Sequence, residues 1–345
     1  MATTGAPPRA PAHLCVVTSD ALLGSNTLRR IERECADGAF ASVTVGSARE
    51  DFERVLSDGR GESIAMLWWF ANRELTEGFA KDARVLERKT WTHSGSAGVD
   101  HLLAIPALRE HSSVMTNGRG AFSASLGEWG VFACMHFAKG VDIFRNAQRE
   151  GKWIRRTVGM IEGKRMCVVG YGDIGQHVAR RAKAMGMRVS AVRRFPEKTS
   201  PNDDSVEKVL AFNAIKEAVS DADYVIVALP STDETRNFID AGVLGAMKNS
   251  AVIVNLGRGS TVDEPALVEA LKSKTIAGAA LDVFAVEPLP KNHPFYEMEN
   301  VLMSFHCADL TDDYHDLAMD CFVKHAEQFA TGAPFTNVVD KSLGY

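Results

Sequence analysis

Short apolar runs rich in β-branched and aromatic residues recur along the chain, separated by longer stretches whose apolar residues fall three and four apart. His13–Thr18, Ser42–Val45, Ile64–Trp68 and Lys89–His93 read as strands, with Thr27–Asp37 and Glu50–Asp58 as helices between them. A second series of strands follows at Met166–Val169, Val189–Val192, Tyr224–Ala228, Val252–Asn255, Gly278–Leu281 and Val301–Ser304. Strand alternating with helix covers both faces of a parallel sheet, so each series predicts a doubly wound α/β domain. Between the series, Ser123–Arg149 carries Leu126, Trp129, Phe132, Ala133 and Phe137 at the spacing of one long helix. A last helical stretch, about Tyr314–Ala330, is expected to cross back onto the first domain. The boundaries that follow are 1–117 with 307–345 for a discontinuous domain and 118–306 for the other.

A length of 345 residues is ample for two separate cores. The formal net charge of −5, with no block of Lys or Arg, argues against a surface that tracks nucleic-acid phosphates. Cys15, Cys35, Cys134, Cys167, Cys307 and Cys321 are scattered, without CxxC or Cys/His spacing, so no metal is expected and a reducing, cytoplasmic setting fits. The opening MATTGAPPRAPA lacks an apolar segment and reads as a short flexible tail, not a signal peptide. No apolar run reaches the roughly 18 residues of a membrane span, so no membrane partner is expected.

The sharpest chemical signal is Gly170-Tyr171-Gly172-Asp173-Ile174-Gly175, a GxGxxG set directly after a strand and before a helix carrying Val178, Ala179 and Ala182. Gly170 permits the tight turn, Gly172 lets a pyrophosphate approach the backbone, and Gly175 lets helix and strand pack closely. The helix N-terminus then offers N–H groups and a positive dipole end to phosphate. The next strand ends in Arg193-Arg194, where an NAD-preferring site would carry an acid. Two guanidinium groups there suit a 2′-phosphate, which favours NADP(H) over NAD(H), although NAD(H) stays possible. Two solvated arginines at a strand end would look the same.

Three further polar signals fall at or just after strand ends: Asn255-Leu256-Gly257-Arg258-Gly259, Asp282-Val-Phe-Ala-Val-Glu287-Pro288 and Ser304-Phe305-His306. Together with the Gly95-Ser96-Ala97-Gly98-Val99-Asp100 loop, VVGYGDIG and LPSTDETRNFI, they occur in one order across about residues 60–310. In that ordered set the sequence resembles the D-isomer specific 2-hydroxyacid dehydrogenases, close to glyoxylate/hydroxypyruvate reductases. The resemblance implies a Rossmann dinucleotide-binding domain plus a flavodoxin-like substrate domain with a cleft between them.

By the same resemblance, Arg258 would bind the substrate carboxylate and polarise its keto oxygen. His306 would be general acid in reduction and base in oxidation, oriented and kept protonated by Glu287. Ser96, Ala97 and Gly98 would present backbone N–H groups to the carboxylate, with Trp69 facing the substrate. Asp282 would hold the nicotinamide carboxamide, while Leu229, Pro230, Thr235 and Leu256 would line the cofactor. The implied partner is a small 2-keto or 2-hydroxy acid, and reduction is the expected working direction because cellular NADPH is kept reduced. The helix bearing Trp129, Phe132 and Phe137 is similar to the family's dimerisation arm, so a homodimer is expected.

Two departures bear on the site. Phe305 stands where the family commonly has Pro, which either frees the His306 rotamer or narrows the pocket. Trp68-Trp69-Phe70 suggests an apolar wall suited to a very small or an aryl substrate. The small residues of Asn117-Gly118-Arg119-Gly120 suggest a hinge and cleft closure. The chain ends soon after its last helix, which speaks against a phosphoglycerate dehydrogenase with a regulatory extension. A dinucleotide-sensing binding protein related to the transcriptional corepressors of this fold is the competing reading.

Overall fold

The computed structural model describes residues 12–35, 39–58 and 62–345. Residues 1–11 of the expected tail and Ala36 and Asp37 of the first expected helix lie outside them. The chain divides into two compact units, one reaching Phe122 and resuming at Asp312–Tyr345, the other Ser123–Thr311. The sequence pattern had set the crossings five residues earlier, after 117 and 306.

Unit 1 is a parallel sheet of β1 (Ala12–Thr18), β2 (Phe40–Gly46), β3 (Ile64–Trp69), β4 (Lys89–Ser94) and β5 (Val114–Asn117), in the order β2-β1-β3-β4-β5. Every residue of β1 and β3 is buried, as continuous apolar runs covered on both faces must be. The final helix, Tyr314–Thr331, belongs to this unit: Phe322 and Phe329 stack on Trp91 of β4 at centroid distances of 5.8 and 5.2 Å. Phe52 and Phe79 meet edge to face at 4.9 Å within the core cluster that also holds Met66 and Trp68.

Unit 2 carries β6 (Arg165–Val169), β7 (Arg188–Val192), β8 (Lys208–Leu210), β9 (Tyr224–Val227), β10 (Val252–Asn255), β11 (Gly278–Leu281) and β12 (Val301–Met303), all parallel. Their order, β12-β11-β10-β9-β6-β7-β8, starts in mid-sheet, runs outward to β8 and restarts at β9 on the other side of β6. That is a Rossmann-type arrangement, and its order reverses between β6 and β9, where the carboxyl ends of the strands open a ligand crevice.

The expected long helix is two helices, Ser123–Lys139 and Val141–Arg149, broken at Gly140 with φ +61°. A left-handed residue ends the first helix there, a conformation that costs glycine little. The buried face also differs from expectation. Leu126, Gly127, Gly130, Ala133 and Cys134 point inward, while Phe132 is 47% exposed. Glycine sets this face: a Cβ on Gly130 would lie 3.1 Å from Val178 of the neighbouring helix Asp173–Ala184. No helix among the described residues is long and apolar enough to cross a membrane.

Candidate active site

The turn after β6 is built from what its glycines lack. Gly170 has φ +99°, and a Cβ on it would stand 2.5 Å from the Ala228 carbonyl oxygen after β9. A Cβ on Gly175 would collide with the Gly170 carbonyl. At Gly172 a Cβ would meet nothing within 4 Å, so the backbone face is open. Helix Asp173–Ala184 starts behind it with Gly172 as N-cap and no side-chain cap, which leaves its first N–H groups to an incoming anion. Asp173 Oδ2 is buried beside this turn without a hydrogen-bond partner. The open backbone and the uncapped helix start fit the pyrophosphate of a dinucleotide.

Around the turn, Leu229 and Leu256 are buried at the ends of β9 and β10. Thr235 Oγ1 donates to the Pro230 carbonyl oxygen at 2.6 Å, which closes the loop after β9 and uses the hydroxyl internally. After β7, Arg193 Nη1 donates to Thr199 Oγ1 at 3.1 Å, and Arg194 pairs with Glu234 at 3.1 Å.

The ends of β10, β11 and β12 bring the second group together. Asn255 fixes the turn after β10: its Oδ1 accepts from Gly257 N and its Nδ2 donates to the Arg258 carbonyl, both at 3.1 Å. Thr261 Oγ1 donates to the same carbonyl at 2.7 Å. Asp282 is buried after β11, and its Oδ1 accepts from Ser304 Oγ at 2.7 Å, Cys307 N at 2.9 Å and Ala308 N at 3.1 Å. Those bonds pin the turn that carries His306. His306 Nδ1 meets Glu287 Oε2 at 2.8 Å, and Glu287 Oε1 accepts from Phe284 N at 2.9 Å.

The electrostatics follow from this packing. The hydrogen bond that His306 donates to Glu287 raises the His306 pKa above its ordinary value and outweighs the partial burial that lowers it, while the nearby Arg258 charge also works downward. Burial pushes the Glu287 carboxyl up, but the His306 bond, the Phe284 N–H and the two positive charges leave it net lowered. The Arg258 charge therefore reaches both members of the pair.

A family profile described as the NAD-binding domain of D-isomer specific 2-hydroxyacid dehydrogenase matches residues 131–308. The glyoxylate reductase of Aeropyrum pernix is 32% identical over 240 residues, 66% of this chain and 70% of that protein. This chain belongs to the D-isomer specific 2-hydroxyacid dehydrogenase family. The D-3-phosphoglycerate dehydrogenase of Methanocaldococcus jannaschii is 33% identical over 245 residues, 70% of this chain, and the match spans only 46% of that longer relative. Among solved structures, the D-isomer specific 2-hydroxyacid dehydrogenase of Xanthobacter autotrophicus Py2, in complex with NADPH and MES, superposes with a TM-score of 0.81 at 27% identity, covering 97% of this chain and 100% of that one. The family is one of nicotinamide-dependent oxidoreductases acting on CH–OH groups.

As a member of this family, the chain departs from expectation in several places. Phe305 and His306 have φ +53° and +57°. Proline is locked near −65°, so the phenylalanine allows a backbone that the family's usual residue could not adopt. The Phe305 ring is 54% exposed and stacks on Phe284 and Tyr296 at 6.2 and 6.3 Å.

In unit 1, Trp69 is fully buried against Gly95, its Nε1 without a hydrogen-bond partner, and its neighbour Phe70 is half-buried. The Ser96–Gly98 loop is half-buried, held by Asn117 Nδ2 donating to the Ala97 carbonyl at 2.6 Å and Gly118 N donating to the Ser96 carbonyl at 3.1 Å. The pinning roles of Asn117, Asn255 and Asp282 escaped sequence reading, since each is a strand-end polar residue whose partners only the fold brings near.

Proposed function

We propose that this family member is a 2-keto acid reductase that uses NADPH in preference to NADH, with glyoxylate, hydroxypyruvate or a similar small acid as substrate and His306 as proton donor. The observation that carries this is the 2.8 Å His306–Glu287 pair beside Arg258. A bound reduced nicotinamide supplies the hydride to the keto carbon. The chain's residues do the rest. The guanidinium of Arg258 takes the carboxylate and draws charge toward the keto oxygen. His306 gives that oxygen a proton from Nε2, leaving the hydroxyl, while Glu287 holds Nδ1 and favours the protonated ring. Asp282 positions this histidine through its turn. Gly170, Gly172, Asp173, Ile174 and Gly175 hold the pyrophosphate, with Leu229, Pro230, Thr235 and Leu256 around the nucleotide.

Preference for NADPH rests on Arg193 and Arg194 and on the NADPH bound to the Xanthobacter relative. Phe132, Ile143, Phe144, Met160 and the 94% exposed Trp153 of unit 2 are exposed large apolar side chains, which supports a homodimer. Light scattering should give a mass of two chains, with Trp153→Asp shifting it toward one. The activity itself is tested by following NADPH oxidation with a panel of 2-keto acids. Turnover with at least one small member is expected; tight NADPH binding without turnover of any would refute the reading.

A further inference from the structure

Unit 1 holds a second imidazole cluster that no step above uses. His93 on β4 and His325 on the helix Tyr314–Thr331 are fully buried, and Cys321 is half-buried one helical turn before His325. One ring nitrogen of each histidine and the Cys321 sulfur lie within 4.8 Å of one another. His93 lies far from the other two in sequence, so only the fold brings the three together.

Two features point to a cation. His93 Nδ1 is held by Thr116 Oγ1 at 2.8 Å, while its Nε2 is buried with no hydrogen-bond partner. His325 Nε2 lies 2.8 Å from the Thr336 carbonyl oxygen and Nδ1 lies 2.6 Å from the Cys321 carbonyl oxygen. With the Nε2 proton on the Thr336 carbonyl oxygen, Nδ1 keeps its lone pair, 3.8 Å from Cys321 Sγ. An oxygen fixing the outer nitrogen of each ring is also how proteins orient metal-bound imidazoles.

We propose that His93 Nε2, Cys321 Sγ and His325 Nδ1 bind a zinc ion, at a site separate from the catalytic group. Two imidazoles and a thiolate suit zinc and not calcium or magnesium, which take oxygen ligands. Ligand atoms of a tetrahedral zinc stand about 3.5 Å apart. The 3.8 Å between Cys321 Sγ and His325 Nδ1 is close to that. Binding expels the thiol proton to solvent and leaves a fourth position for water on the accessible side of Cys321. The ion clips β4 to the final helix within unit 1.

The test uses the full chain stripped with chelator. Cobalt(II) should produce one equivalent of a thiolate charge-transfer band with the strong visible bands of a tetrahedral site. Zinc should displace it and raise Tm. Cys321→Ser and His325→Gln should each weaken zinc by about a hundredfold or more in chelator competition. Should either variant fail to fold, the wild-type cobalt spectrum and the zinc shift in Tm still decide. Absence of the thiolate band, or zinc affinity unchanged in both folded variants, would overturn the site.

Discussion

The two units share one architecture and treat histidine in opposite ways. In unit 2 the imidazole of His306 sits half-exposed on a turn beyond the strand ends, paired with Glu287 and close to the Arg258 charge. In unit 1 His93 is inside the sheet, its ring 5.4 Å from that of Phe322 and 5.0 Å from that of His325. Burial and the neighbouring His325 push the His93 pKa well below its ordinary value, whereas the carboxylate raises that of His306. A parallel sheet therefore offers two kinds of polar site: loops at the carboxyl ends, where a charge can cycle, and the packed interior, where it cannot.

Among the residues around His306, the largest expected effect lies at the Arg258 charge. Arg258→Ala should lower kcat/KM by about 10²–10³-fold, with Arg258→Lys restoring only part because an ammonium lacks the planar fork. Steady-state kinetics checks it, and a mild loss would detach Arg258 from the substrate.

Glu287→Gln sharpens the comparison through pH. Reduction needs protonated His306, so activity falls as pH rises through its pKa. Removing the carboxylate that raises that pKa should move the descending limb of the kcat/KM profile to lower pH. The same pair contributes to stability only between the two pKa values. Its His306 share is lost as pH rises through the raised pKa, and its Glu287 share as pH falls through the lowered one. Both side chains are over a third exposed, so this contribution should stay under about 1 kcal/mol. Urea melts across pH measure it.

The smallest expected effect concerns the cofactor. Replacing Arg193 and Arg194 by Ala should raise the KM for NADPH about tenfold or more and that for NADH little. Equal changes would make the arginines mere surface charge.

Much of this was legible from residues alone. The buried central strands of both sheets are long apolar runs, and GxGxxG between strand and helix announces its own turn. Strands β5 and β8 were not legible, because VMTN and KVL are too short to show a period. The break at Gly140 hid in a continuous apolar pattern, since one glycine at φ +61° ends a helix without altering the spacing around it. At the site, His306, Glu287 and Arg258 stood out by order. Asp282 did not reveal that it anchors the histidine turn, nor His93, Cys321 and His325 that they meet, because such contacts join residues far apart in the chain.

The central claim is that His306 gives the proton in reduction of a 2-keto acid. The direct measurement is NADPH oxidation by His306→Ala beside wild type, with NADPH affinity measured on the same samples. The account predicts kcat lower by about 10²–10⁴-fold with cofactor affinity unchanged. Turnover near the wild-type rate with the same substrate would contradict it.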